Sequence, residues 1–139
     1  MTPEQIFSVV NLLALVGWLL LAALPGRAWV PKAITAGVIP VLAAVYVGLI
    51  AFNWLGSEGG FGSLAEVARL FANPWLLLAG WTHYLAFDLF VGSWEVRDAR
   101  SLGISHWLVV PCLLLTFLFG PAGWLLYTSI RSVRATPAH

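Results

Sequence analysis

The chain has 139 residues, of which 60% are apolar and only 9% charged, with a formal net charge of +1. So few charges cannot cover a soluble surface, and a near-neutral balance offers no basic patch to a nucleic acid. The single cysteine, Cys112, excludes an intrachain disulfide and a cysteine-built metal centre, which leaves one integral membrane domain over residues 1–139.

The first apolar stretch, about Gln5–Leu24, is read as a transmembrane helix ended by Pro25-Gly26-Arg27. It lacks the positive lead of a signal peptide, and Ala22-Ala23-Leu24 is a poor cleavage site, so it is expected to be retained. The second runs over about Ala33–Leu55, with Pro40 bending it locally. Gly56-Ser-Glu-Gly-Gly-Phe-Gly62 then reads as a flexible loop. Ser63-Leu-Ala-Glu66 has the capping-box pattern, opening either a short interfacial helix over Leu64–Phe71 or a plain loop.

The third stretch, about Pro74–Trp94, starts after Asn73 with Pro74 as first helical residue. The fourth, about His106–Tyr127, carries Pro111 early and Pro121 within Phe119-Gly-Pro-Ala-Gly123, where a lost N–H predicts a kink. The expected fold is therefore all-α: an integral membrane four-helix bundle with a kinked fourth helix. Four spans bring both chain ends to one side. Arg27, Lys32, Arg97 and Arg100 then oppose Arg69, Arg131 and Arg134, too even a split to orient the chain.

Chemistry concentrates in the third span. His83 and Asp88 stand in an otherwise uncharged run, and Glu95, Arg97, Asp98 and Arg100 follow where it should surface. A carboxylate at the centre of a membrane helix costs about 2.5–3.5 kcal/mol, so it is usually paired, turned inward or part of a site. On a regular helix Trp81, Tyr84, Asp88 and Glu95 fall within about 60° of arc. That stripe reads as a pocket wall or as interhelical adhesion. His83 lies about 140° around the helix from Asp88 and should answer to another span, through Asn11, Tyr46 or Asn53. Asn11 and Asn53 read most simply as interhelical hydrogen-bonders. His83, His106, Asp88 and Glu95 are the available metal ligands, but no Glu-x-x-His or His-x-x-x-His pair occurs and no metal is expected.

The runs Asn73-Pro-Trp, Gly80-Trp-x-His83-Tyr-Leu-Ala-Phe-Asp88-Leu-Phe-x-Gly92, Trp94-Glu95, Asp98-Ala-Arg100 and Phe117-x-Phe-Gly-Pro-x-Gly-Trp-Leu-Leu-Tyr127 resemble the neoxanthin-synthase-like family, whose plant founder is named for abscisic-acid deficiency. The resemblance implies a small four-span membrane protein that acts on or binds a carotenoid or other isoprenoid lipid. The plant member is required to convert violaxanthin to neoxanthin: an epoxide opens to an alcohol while a proton leaves the polyene to give an allene. No net redox change occurs, so no cofactor is expected. The chemistry needs an acid at the epoxide oxygen and a base at carbon, and Asp88, His83 and Glu95 are the available groups. Trp81, Tyr84, Asn11 and Asn53 are candidate substrate contacts, and Arg97 or Arg100 could hold a polar end ring.

The absence of a transit-peptide-like leader points to a bacterial chain in the inner membrane. A homo-oligomer or a carotenoid-synthesis enzyme is the expected protein partner. Two other readings stay open: a non-catalytic pigment-binding or enzyme-stabilising protein, and a proton-coupled transporter subunit with His83 and Asp88 as relay. Oxidative cleavage at iron would need more histidines than His83, His106 and the terminal His139.

Overall fold

The structure, a computed structural model, describes residues 1–134, so His139 lies outside the described residues. The described residues form helices and no strand: α1 (Pro3–Ala23), α2 (Trp29–Asn53), α3 (Leu64–Leu70), α4 (Pro74–Ser101), α5 (His106–Phe119) and α6 (Pro121–Arg134). Local chemistry explains the starts. Thr2 and Gln5 form a reciprocal capping box on α1, Ser63 Oγ accepts from the Glu66 N–H on α3, and Asn73 Oδ1 accepts from the Trp75 N–H on α4. Each satisfies a first-turn donor that the helix itself leaves unpaired.

Pro40 does not end α2. Its ring would crowd the carbonyl four residues earlier, and the helix widens just before it into a π-helical turn, Ile34–Val38, with the Ile39 N–H bonded to Ile34 O. The expected local bend is thus met by a change of hydrogen-bond register.

Helices α1 and α2 are each long and apolar enough to cross a membrane, with mean hydropathies of 2.4 and 2.3. They pack on α4, a 28-residue helix. The α1 helix runs parallel to α4: the Phe7 ring lies tilted beside Trp81, Gly17 fits against Leu89 and Trp18 against Gly92. The α2 helix runs the opposite way, with Tyr46 beside His83 and Asn53 around one cavity with Ile6 and Trp75. Fully buried Val10, Leu21, Leu42 and Leu89 form the core of this three-helix unit.

The fourth stretch corrects the expectation of a single kinked helix. It is two 14-residue helices, α5 and α6, broken at Gly120. Gly120 has φ +36°, a left-handed backbone suited to glycine. Pro121 is the first residue of the next helix, where its missing N–H costs nothing. The chain then reverses. Gly123 packs directly on the backbone of Thr116, and Leu108 near the start of α5 shares a cavity with Ile130 and Val133 near the end of α6. The two arms form an antiparallel hairpin beside α4, and α6 continues past Tyr127 to Arg134. Pro3 and Arg134 therefore lie at opposite ends of the bundle.

Candidate functional site

The stripe read from the sequence faces this hairpin. At its tip the Tyr84 hydroxyl donates to Phe117 O and Leu118 O, 3.1 Å each, carbonyls that the end of α5 leaves without helical partners. One turn on, the Asp88 carboxylate lies against Gly120; a β-carbon there would fall 2.7 Å from Asp88 Oδ1. Asp88 thereby sits at the N-terminal, positive end of α6, while its Oδ2 is buried with no hydrogen-bond partner among the described residues. Two turns further, fully buried Glu95 accepts from Thr116 Oγ1 at 3.0 and 3.2 Å. Trp94 meets Tyr127 edge to face, ring centroids 5.4 Å apart.

Beyond the apolar run, Asp98 accepts from the Tyr127 hydroxyl at 2.6 Å and from Arg131 Nε at 2.7 Å. Burial alone would raise the Asp98 pKa. The hydrogen bonds from Arg131 and Tyr127 and the charge of Arg131 outweigh it and hold the group below the usual aspartate value. The ion pair raises the pKa of Arg131 in turn.

His83 faces elsewhere, as its arc on the helix requires. It meets Tyr46 of α2 edge to face at 5.5 Å and Phe87 at 4.8 Å, and makes no hydrogen bond among the described residues. It lines a cavity of about 260 Å³ with Tyr46, Trp54, Phe61, Phe71 and Gly80. Trp54 and Phe61 stack at 5.5 Å, so the glycine-rich loop and α3 form one wall of this space. Gly80 gives it room, since a β-carbon there would meet the Phe71 ring at 3.0 Å.

The remaining candidates disperse. Trp81 Nε1 donates to Asn11 Oδ1 at 3.1 Å, tying α1 to α4 as the asparagine reading expects. Asn53 instead donates to Leu49 O within its own helix. Arg97 and Arg100 are exposed at the far end of α4; Arg97, fourteen residues from His83, is about 21 Å of helical rise away. No single pocket gathers His83, Asp88 and Glu95, and no hydrogen-bond chain joins His83 to Asp88 among the described residues.

Sequence reasoning missed Thr116, Gly120, Tyr127 and Arg131 as partners of the stripe. The Phe-Gly-Pro-x-Gly run was their signal: glycine before proline marks a helix end followed by a new helix start. It missed Phe61 and Phe71 because loop aromatics carry no periodicity.

The described residues are all helical, two of their helices are apolar and long enough to cross a membrane, and Glu95 is a fully buried carboxylate, features that suit a membrane-associated protein. A family model described as ABA DEFICIENT 4-like matches residues 5–127, and the chain belongs to that family. No curated protein and no solved structure gives a match.

Proposed function

We propose that this is a multi-pass membrane protein that binds a rigid isoprenoid polyene of the carotenoid class, with an end ring in the His83 cavity. The aromatic cavity with a hydrogen-bond-free imidazole is the observation that carries the reading. Its about 260 Å³ suits a ring rather than a whole polyene. The rest of such a ligand would run along Phe87 and Phe90, 60% and 46% exposed on adjoining turns of the same helix face. His83 is exposed, and a hydroxyl or epoxide on the ring can hydrogen-bond its imidazole. In this arrangement α1, α2 and α4 cross the bilayer. The hairpin does not cross: each arm rises about 21 Å, short of a hydrocarbon core of about 30 Å.

One observation favours a second reading, acid–base isomerisation of a polyene bound on the hairpin-facing side of α4 instead of at His83: Asp88 Oδ2 is a buried carboxylate oxygen, without a partner among the described residues, next to a glycine–proline break. Asp88 would then take the carbon-bound proton as the epoxide C–O bond breaks, and the freed oxygen would take a proton from solvent, with no net loss of atoms or electrons. Glu95, enclosed by Thr116, fits a structural role better than an acid–base one.

Purified protein mixed with an epoxy-carotenoid separates the readings. On the binding reading, wild type and Asp88→Asn retain pigment absorbance through gel filtration, His83→Ala loses it, and the pigment is recovered unchanged. An allenic product that disappears in Asp88→Asn with binding intact supports isomerisation. Retention by His83→Ala equal to wild type would remove the cavity from the binding reading.

A further inference from the structure

The near-neutral net charge conceals a strong segregation. Folding α5 and α6 into a hairpin brings Arg131 and Arg134 to the end of the bundle that already carries Arg27, Lys32, Arg97 and Arg100. Six of the seven cationic side chains thus share one end, and among the described residues Asp98 is the carboxylate beside them, Glu95 one turn before it being fully buried. The other end holds Glu4, Glu58 and Glu66 against Arg69. Asp98 is already committed to Arg131 at 2.7 Å, while Arg27, Lys32, Arg97 and Arg100 are exposed and have no ion-pair partner among the described residues.

The same end carries two outward aromatic side chains, Trp29 (54% exposed) and Trp107 (84% exposed), each at the first residues of a helix. Tryptophan settles at the headgroup level of a bilayer, and lysine and arginine stems reach from that level towards the phosphates. His106 Nε2 lies 2.8 Å from Ala22 O and so joins α1 to the hairpin at this rim.

We propose that this basic end is a docking rim for anionic phospholipid headgroups, held by Arg27, Lys32, Arg97 and Arg100 around the tryptophan level. The proposal rests on the membrane reading above but not on the polyene one. Charge complementarity selects the occupant, because a membrane surface is the extended anionic partner that a rim encircling the helix ends meets on all sides.

The test uses the intact chain in phosphatidylcholine vesicles containing phosphatidylglycerol, with energy transfer from the native tryptophans to labelled phosphatidylglycerol or labelled phosphatidylcholine. A roughly five-fold or greater local enrichment of the anionic lipid is expected, the ratio that one favourable headgroup contact supplies. Raising the salt towards about 1 M, where screening acts within about 3 Å, should remove it, as should the combined substitution R27Q/K32Q/R97Q/R100Q. Equal transfer to the two lipids in wild type, or enrichment that ignores salt, would overturn the proposal; both arms hold even if the fourfold variant does not fold. Inorganic phosphate should compete no better than sodium chloride of equal ionic strength. Stronger competition would mean a discrete phosphate site instead and overturn the rim.

Discussion

Gly120 and Gly123 make the hairpin, each for its own reason. Gly120 needs its positive φ and leaves room for the Asp88 carboxylate; Gly123 lets α6 touch the Thr116 backbone. Gly120→Ala should cost about 1–3 kcal/mol from the disfavoured backbone region and added crowding on Asp88. Gly123→Ala must push the facing backbones of α5 and α6 apart and should cost at least as much, about 1–3 kcal/mol or more. Thermal unfolding in detergent reads both, and wild-type midpoints would refute the packing described. Thr116→Val leaves buried Glu95 without its donor, an expected loss of about 1–3 kcal/mol by the same measurement. The polar stripe itself was legible from its spacing on one helix, because helical geometry fixes which residues share a face. Its partners were not, since nothing local says which segment will cover that face.

Among the elements, the hairpin departs furthest from the sequence reading. Hydropathy alone sees His106–Tyr127 as one span of sufficient length, and proline alone predicts a bend. The close approach of Gly123 to Thr116 and the return of α6 depend on tertiary contacts that no window reveals. A single continuous span would separate Leu108 from Ile130 by about 33 Å, whereas here both line one cavity. Paired cysteines at Leu108 and Ile130 should cross-link with a short bifunctional reagent; no cross-link in folded protein would restore the single span.

The hairpin's clasp also fixes a pH dependence. Because Asp98 is held below its ordinary value, its contribution is fully present above the unfolded aspartate pKa of about 3.9 and is lost as pH falls through the lower folded value. Wild-type stability should therefore decline on acidification below about pH 4. Asp98→Asn should be less stable at neutral pH and lose that part of the acid slope; equal slopes would show that the clasp is not linked to folding.

For the whole molecule, the apolar bulk and the helical class were readable from composition and from the stretches Gln5–Leu24, Ala33–Leu55 and Pro74–Trp94. The sidedness was not, because an even span count splits the cations four against three, while the hairpin gathers six at one end. On the proposed membrane reading, the positive-inside rule turns that end towards the cytoplasm. An alkaline phosphatase fused before Met1 should be active outside the cell, and a green fluorescent protein fused after His139 should fluoresce inside it. Reporters found on the same side would reject the arrangement.

The way α4 is covered bears on how the protein is made. When α4 leaves the ribosome, Tyr84, Asp88 and Glu95 have no hairpin to meet, and each carboxylate at mid-helix weakens insertion by about 2.5–3.5 kcal/mol. The hairpin, too short to span, in turn has nothing to hold it without α4. Insertion of α4 and the hairpin, close to the second half of the chain, should thus be a joint event. Chains ending at Ser105 should leave α4 open to protease while α1 and α2 stay protected.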